Sequence, residues 1–368
     1  MAQAPPLDLP LDLPLDYPIY VQHGVIGELG PIVERTAPAH RYAVVSDSRV
    51  ASHHSARLLD QLPADRTRLF TIPPGEHEKT RARWAELTDA LLGWGAGRDT
   101  TVIALGGGVI GDLAGFVAAT YMRGVPVVQV PTTVLAMVDA SVGGKTAIDT
   151  TFGKNLVGAF HNPSAVIMDP VLLETLPPAD LRSGLAEMIK HGVIADASYF
   201  DAILRELPDI GARGALAPAF SSLIAGSVRI KAAVVSEDVR ENGRRHTLNF
   251  GHTIAHAIER VLEYRILHGE AVAIGMVVEA RLAERLSIAS DGLSVAIVDA
   301  LARARLPSTI PAGIDPNALL AATKGDKKNR AGSVRYSLPR TIGEMESADG
   351  RWSVPVDDDD VLSVLSSA

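Results

Sequence analysis

The sequence predicts an α/β protein in two parts: an N-terminal domain built on a parallel sheet, then an all-α domain. Three observations carry this. Short apolar runs alternate with helical segments through the first half of the chain. After about residue 176 long helical patterns dominate. Between the two textures stands Pro177-Pro178, where the residue before a proline is pushed out of the helical region. Apolar runs separated by helices are the pattern of parallel strands covered on both faces. A length of 368 residues also suits two domains better than one.

Taken in order, residues 1–16 read Met-Ala-Gln-Ala-Pro-Pro and then Asp-Leu-Pro-Leu repeats. Proline at this density blocks helix and ladder pairing, so a disordered tail with no catalytic role is expected. The sheet domain is expected over 17–176 and the helical domain over 177–368. Expected strands are 42–46, ending at Asp47; 68–72, closed by Pro73-Pro74-Gly75; 100–105, running into Gly106; 125–130, ending at Pro131; and 165–168, ending at Asp169. Helices fit between them at 78–92 and 109–121. Beyond the boundary, helical periodicity covers 179–195, 214–236, 248–264 and 268–289. Residues 333–337 give the faintest strand signal. Asp357 to Asp360 are expected to cap a last short helix, Val361 to Leu365.

Composition narrows the function. Hydrophobic residues make up 47% of the chain, enough for a large core. There is no cysteine, which excludes disulfides and thiolate metal sites. Any metal must bind through His, Asp, Glu or water, a donor set suited to zinc, cobalt or manganese. The formal charge is −8, from 35 basic and 43 acidic residues with no dense Lys/Arg block, which argues against nucleic acid as a partner. No apolar stretch reaches the roughly 18 residues of a membrane span. The N-terminus lacks the charged-then-apolar order of a signal peptide. A cytoplasmic protein without membrane attachment is expected.

The most informative local pattern is Leu-Asn-Phe-Gly-His-Thr-Ile-Ala-His over 248–256, followed by Leu267-His268-Gly269-Glu270. Asn249, His252 and His256 fall at i, i+3 and i+7, one stripe of a helix. Ile254, Ile258 and Val261 lie about 200° round from His252 by the 3.6-residue period. One face can therefore pack while the other presents imidazoles, the commonest side-chain metal ligands. A catalytic zinc usually takes three protein ligands and one open position. By spacing alone His252 and His256 are the expected joint ligands. Glu187 lies about 200° round its own helix from Leu185 and Ile189, on a polar face with Lys190 and His191, where by itself it reads as an ordinary i,i+3 partner of Lys190.

Gly106-Gly-Gly108-Val-Ile-Gly111-Asp112 follows a strand and opens a helix, matching G-x-G-x-x-G. Glycines there let the backbone approach a pyrophosphate at a helix N-terminus, as in a Rossmann-like domain. The motif comes late in its domain, not in the first strand–helix turn, so dinucleotide binding would differ from the standard arrangement. Asp47, after an earlier strand, can accept from a ribose. Gly143-Gly-Lys145-Thr146 imitates a P-loop, but Asp139 stands where its first glycine belongs. Lys145 is better suited to an anionic substrate or cofactor than to the phosphates of ATP.

Together these motifs resemble the 3-dehydroquinate synthase family, within the sugar phosphate cyclases. The matching segments are Pro74-Gly-Glu-His-Glu-Lys79, Gly106 to Gly124, Pro131-Thr-Thr133, Asp139 to Ile148, Gly153-Lys-Asn155, Ala186-Glu-Met-Ile-Lys190, Leu248 to Glu259 and Leu267-His-Gly-Glu270. The resemblance implies an NAD-binding α/β domain followed by a helical metal- and substrate-binding domain, commonly in a homodimer. It implies NAD and one divalent metal ion, zinc or cobalt, as cofactors. It assigns the metal to Glu187, His252 and His268, and moves His256 to the substrate.

The implied reaction is a phosphate-eliminating lyase step of the shikimate pathway, on the way to chorismate and the aromatic amino acids. The substrate is the sugar phosphate 3-deoxy-D-arabino-heptulosonate 7-phosphate; the products are 3-dehydroquinate and phosphate. An alcohol is oxidised, phosphate is eliminated, the ketone is re-reduced and an aldol step closes a carbocycle. The resemblance implies catalytic roles for Asp139, Lys145, Lys190, Asn249 and His256. It places Lys231 and Arg245 on the substrate carboxylate, where a guanidinium can bind bidentately. It groups Arg123, Lys145, Asn155, Asn249, His256 and Lys327 with the phosphate and ring oxygens and puts Asp139 and Lys190 near the ring hydroxyls, with Lys328 a rival to Lys327 and Arg123 reaching across the dimer. For NAD it implies Asp47, Glu76, Lys79, Gly108, Asp112, Thr132, Thr133, Lys145, Lys154 and Thr175. The alternatives are a cyclase acting on sedoheptulose 7-phosphate, a metal-dependent polyol dehydrogenase, and a non-catalytic NAD- or metal-binding relative.

Overall fold

The computed structural model describes residues 9–324, 334–347 and 350–367. Lys327 and Lys328 lie outside the described residues, as does Ser333 of the faintest expected strand. The described part of the chain divides into two compact units. One runs to Pro177 and also takes in Phe220–Val228; the other comprises Pro178–Ala219 and the chain from Arg229.

In chain order the first unit supplies β1 (Ile19–Val21), α1 (Leu29–Thr36), β2 (Arg41–Asp47), α2 (Ser48–Leu59), β3 (Thr67–Ile72), α3 (Arg81–Gly93), β4 (Thr100–Gly106), α4 (Gly108–Thr120), β5 (Val127–Pro131), β6 (Lys145–Thr150), β7 (Gly153–Phe160) and β8 (Ala165–Met168). Six of these strands form one all-parallel sheet in the order β1-β8-β5-β4-β2-β3. Alternate residues of β2 and β4 feed two cores. Val45, Val102 and Ala104 pack with Leu87, Leu91, Leu113 and Val117 of α3 and α4. Val44, Ile103 and Leu105 pack with Leu29, Ile32 and Leu58 of α1 and α2. Burial on both faces explains why these strands read as unbroken apolar runs.

The strand order explains the late glycine motif. From β2 the chain moves outward to β3, then returns to β4 on the other side of β2. The carboxyl ends of β2 and β4, paired through Ser46 and Leu105, flank that reversal. In open α/β sheets ligands bind at such a switch point. The glycines therefore occupy the expected place in space although not in sequence.

Two features of this unit depart from expectation. Within the expected tail, Leu11 N–H donates to Ile19 O at 2.8 Å and Asn162 Nδ2 donates to Asp16 at 3.1 Å. Residues 9–16 are thus tied to the unit instead of free. The antiparallel β6–β7 hairpin was not anticipated, because the Gly-Gly-Lys-Thr string masked its alternation.

The second unit contains α5 (Pro178–Ala195), α6 (Ala197–Arg213), the C-terminal part of α7 (Phe220–Glu237), α8 (His252–Val261), α9 (His268–Arg285), α10 (Leu293–Arg303), α11 (Pro316–Lys324) and α12 (Asp358–Leu365). Two small pairings accompany them, β9 (Arg335–Tyr336) with β12 (Val354–Pro355), and β10 (Pro339–Thr341) with β11 (Glu344–Met345). Several boundaries move from expectation. Helix α6 was unforeseen, although Asp196 caps it by accepting from Tyr199 N–H at 3.0 Å. Helix α7 starts at Phe220 rather than 214, and α9 ends at Arg285 rather than 289. Helix α12 begins at Asp358, and the Asp357 side chain makes no cap hydrogen bond among the described residues. Asp358 instead meets Lys324 at 2.5 Å, and Asp360 meets Arg285 at 2.8 Å. No single helix of the described residues is long and apolar enough to cross a membrane.

Two close approaches set the geometry of this unit. A Cβ on Gly275 of α9 would lie 1.9 Å from the Gly251 carbonyl oxygen, just before α8. A Cβ on Gly269 would lie 1.9 Å from the Ser183 carbonyl oxygen on α5. Gly275→Ala must therefore push α8 from α9. The expected loss is about 2 kcal/mol or more, read by urea unfolding. Stability within experimental error of the parent would refute this account of the packing.

Candidate active site and metal centre

The two close approaches bring three side chains from three helices to one point. Glu187 comes from α5, His252 from the start of α8 and His268 from the start of α9. His252 Nε2 lies 3.4 Å and His268 Nε2 3.5 Å from Glu187 Oε1. One donor atom from each of the three falls within 4.8 Å of the others. His256 stands one turn further along α8, its ring edge-on to His252 at 5.6 Å between centroids. It is not in that three-residue group, whereas spacing alone pairs it with His252. Asn249 also leaves the expected stripe. It ends a 3₁₀ turn, and Gly251 at φ 78° separates it from α8. Ile254 and Ile258 are buried as expected and Val261 is half-buried. The supposedly polar face of α5 is buried too: Glu187, Lys190 and His191 are each no more than 1% exposed.

These residues suit a divalent ion. Both Glu187 oxygens are buried and accept no well-aligned hydrogen bond among the described residues. Each imidazole has its other nitrogen committed. His252 Nδ1–H donates to Phe250 O at 3.1 Å, and His268 Nδ1–H to Glu259 Oε1 at 3.2 Å. An acceptor at Nδ1 leaves the Nε2 lone pair of a neutral ring aimed inward, the outer-shell pattern of histidine–metal sites. Glu279 of α9 supports the same point. Its buried carboxylate accepts from Gly251 N–H at 2.7 Å and Ile254 N–H at 3.3 Å, capping α8 from a neighbouring helix.

The local electrostatics also call for a cation. Burial opposes ionisation of Glu187, but the Lys190 ammonium, which pairs with it, and then His252 keep it well below the usual carboxylate range. Burial, then the Lys190 charge, lowers His252 to about 4. His268 moves the other way. Against burial, the neighbouring carboxylates of Glu187 and Glu259 raise it to about 10. Without a metal, the protonated His268 ring and the Lys190 ammonium face the Glu187 and Glu259 carboxylates; a divalent ion would take the place of the ring's proton.

The loop before α8 is held by Asp238, whose carboxylate accepts from the N–H groups of Asn242, Gly243 and Arg245 at 2.9, 2.7 and 3.1 Å. Arg245, 2% exposed, donates to Val239 O at 2.7 Å. Lys231 is buried on α7. Asn249 Nδ2 donates to Glu241 Oε1 at 3.0 Å, with Glu241 in the left-handed region at φ 58°. Lys190 donates to Leu248 O at 2.9 Å besides its pair with Glu187. Sequence reasoning passed over Glu241, Glu259 and Glu279. Glu259 was legible, two turns beyond His252 on the same stripe; Glu279 carries no local signal.

The first unit holds the expected cofactor residues. Gly108 opens α4 at the switch point, and no side chain caps that helix among the described residues. Its first N–H groups can therefore serve an anion. Beside it, Thr132 Oγ1 is buried with no hydrogen-bond partner among the described residues. Thr133 Oγ1 accepts from Ala136 N–H at 3.1 Å, and a Cβ on Gly107 would come within 3.1 Å of Thr133 Cγ2. A cradle without side chains and an orphaned hydroxyl fit a dinucleotide. Asp47 Oδ1 caps α2, accepting from Arg49 and Val50 N–H, both at 2.9 Å. Thr175 Oγ1 bonds His54 Nε2 at 2.8 Å. Lys79, 4% exposed, meets Glu76 at 2.8 Å and Asp112 at 3.2 Å, and Lys154 lies 3.9 Å from Glu76. Burial, partly offset by Lys79, raises Asp112 to about 6.

The remaining expected residues of this unit are also placed. Asp139 lies in a π-turn, Ala136–Ala140, Lys145 opens β6, and Asn155 sits on β7. Met122, Arg123 and Gly124 form a consecutive left-handed run at φ 50°, 70° and 116°. Such strain in non-glycine residues is concentrated at functional sites.

If Glu259 orients His268, Glu259→Gln should weaken metal binding by roughly 10- to 100-fold in chelator competition. His268→Ala should abolish stoichiometric metal while NAD binding stays measurable. Unchanged metal content in His268→Ala would remove His268 from the ligand set.

Comparison with known proteins joins the two units. Residues 69–183 match the family model described as 3-dehydroquinate synthase N-terminal, and 184–329 match 3-dehydroquinate synthase C-terminal. A 3-dehydroquinate synthase of Symbiobacterium thermophilum is 44% identical over 332 residues, covering 89% of this chain and 92% of the relative. One from Desulforamulus reducens is 40% identical over 351 residues, covering 95% and 96%. Among solved structures, 2-deoxy-scyllo-inosose synthase complexed with carbaglucose-6-phosphate, NAD+ and Co2+ is similar with a TM-score of 0.85 at 27% identity, covering 95% of this chain and 96% of that one. The 2-epi-5-epi-valiolone synthase of Streptomyces hygroscopicus, with NAD+ and Zn2+ bound, gives 0.85 at 27%, covering 96% of each. With both halves matched in order and relatives at 40% and 44% identity across most of its length, the chain belongs to the 3-dehydroquinate synthase family.

Proposed function

We infer that this protein converts 3-deoxy-D-arabino-heptulosonate 7-phosphate into 3-dehydroquinate and phosphate, as a lyase of the shikimate pathway. The observation that carries the reading is the convergence of Glu187, His252 and His268 in a chain matched to that family through both units. NAD, when bound, would accept a hydride from the substrate and later return it, and a zinc or cobalt ion held by Glu187, His252 and His268 would polarise the same carbon–oxygen bond.

The chain's own residues must bind two anionic groups and move protons. Arg245 and Lys231 take the substrate carboxylate. Their burial supports this, since a desolvated guanidinium binds a carboxylate far more strongly than an exposed one. Arg123, Lys145, Asn155 and Lys327 take the phosphate and ring oxygens. Asp139 and Lys190 orient the ring hydroxyls, and Lys190 also keeps Glu187 ionised. His256, with Asn249, exchanges protons at the carbon that loses its hydrogen and at the departing phosphate. Asp47, Glu76, Lys79, Gly108, Asp112, Thr132, Thr133, Lys154 and Thr175 hold NAD. The protein works as a cytoplasmic homodimer, with Arg123 reaching the partner subunit.

A paired turnover assay tests this. Metal-loaded protein with NAD is given the heptulosonate phosphate or sedoheptulose 7-phosphate, and phosphate and cyclic product are followed. Turnover of the first alone is expected. Turnover of the second alone would make the protein a different cyclase and remove the carboxylate role of Arg245. Arg245→Ala should raise the substrate KM by roughly 100-fold, the size of a lost charge-assisted pair, with little change in NAD affinity. Equal effects on substrate and NAD would argue against a carboxylate site.

A further inference from the structure

Asp149 has no role in the preceding assignments, yet it joins the cofactor residues to the hairpin. It lies in β6, and the β6–β7 pairing shifts register between Ile148 and Thr150. Such a bulge releases a residue from the ladder and re-aims its side chain. Asp149 then meets the Glu76 carboxyl and makes three further contacts. Its N–H donates to Lys79 O at 2.7 Å. Its Oδ1 accepts the backbone N–H of Asn155 at 2.9 Å. The same Oδ1 lies 3.7 Å from Lys79 Nζ. Asn155 has φ 56°, in the left-handed region that asparagine tolerates better than most side chains.

Lys79 does not need this third carboxylate for stability. Glu76 at 2.8 Å and Asp112 at 3.2 Å already neutralise it. Adding another acid crowds negative charge, and burial pushes the Asp149 carboxyl up. Buried ionic clusters are weak evidence for stability and are better understood through what they position. What Asp149 positions is Lys79 relative to Asn155.

We propose that Asp149 is a positioning residue that fixes the cofactor loop 75–80 to the β6–β7 hairpin, so that NAD and the substrate phosphate each strengthen binding of the other. The proposal rests on the reading of Lys79 as a cofactor residue and Asn155 as a phosphate residue. Coupling between two sites requires an element that both of them bias, and Asp149 supplies one. Two substitutions separate its contacts. Asp149→Asn keeps an acceptor for the Asn155 N–H but removes the charge facing Lys79. Asp149→Ala removes both.

The test uses the full-length, metal-loaded protein. NAD affinity is titrated with and without inorganic phosphate, and kcat and KM are measured with the heptulosonate phosphate. In the parent, phosphate should tighten NAD by about fivefold or more, the lower range of measured couplings. Asp149→Ala should reduce that factor below about twofold and raise KM roughly tenfold with kcat little changed, as expected for one lost charge-assisted contact. Asp149→Asn should keep KM near the parent value while weakening NAD. Absence of coupling in the parent, or parental coupling and KM in Asp149→Ala, would overturn the proposal. So would equal losses of kcat, KM, NAD affinity and melting temperature in both variants, which would mark a purely structural residue. If the parent does not turn over the heptulosonate phosphate, the catalytic reading fails, while the NAD–phosphate titrations still decide the role of Asp149.

Discussion

A carboxylate with no solvent exposure is the constraint around which the helical unit is organised. Glu187 is fully buried on α5. An ionised carboxylate removed from water costs several kcal/mol even after relaxation, unless charge and hydrogen bonds replace the solvent. Lys190, one turn along the same helix, supplies the nearest charge. The two imidazoles must come from elsewhere, and they arrive only because α9 crosses α5 at Gly269 and α8 meets α9 at Gly275. Small residues at the crossings, Glu279 capping α8 and Glu259 gripping His268 are consequences of one requirement: a buried anion needs its partners at fixed positions.

The sheet unit solves a different problem, that of presenting backbone rather than side chains to a ligand. Its central strands are buried on both faces, so their ends are the available surface. At the reversal between β2 and β4 the chain offers Gly106, Gly107 and Gly108 together with an uncapped helix start. The buried Thr132 hydroxyl lies on the next strand connection. Binding there depends on topology and on the absence of side chains.

That difference also explains what was legible in the sequence. The parallel strands were readable because double-sided burial writes a continuous apolar run; β2, β3, β4, β5 and β8 all fall within two residues of expectation. The β6–β7 hairpin was not, because one of its strands is half-exposed and irregular, with Phe152, Leu156 and Phe160 at the surface. Helix α6 was hidden by Pro208 in its interior, which argues locally against a helix that tertiary packing nonetheless holds. In the site, His252 and His268 were visible as a motif, but their convergence with Glu187 depends on helix crossings set by glycines far apart in the chain. Periodicity describes one helix at a time. It put Asn249 on the stripe of α8 because nothing local announces that Gly251 breaks the helix there.

The net charge of −8 and the need to bind anions are reconciled by where the cations sit. Lys79, Lys190, Lys231 and Arg245 are all buried. A buried cation must be balanced within the fold or it destabilises it. Glu76 and Asp112 balance Lys79, and Glu187 balances Lys190. The acidic excess is a property of the whole chain, whereas these cations are gathered inside the fold and act locally. If the substrate's anionic groups meet these cations, they do so in a low-dielectric setting, where each charge acts more strongly than in water. Affinity then comes from preorganised geometry and not from long-range attraction, so salt should affect its binding less than it affects an exposed basic patch.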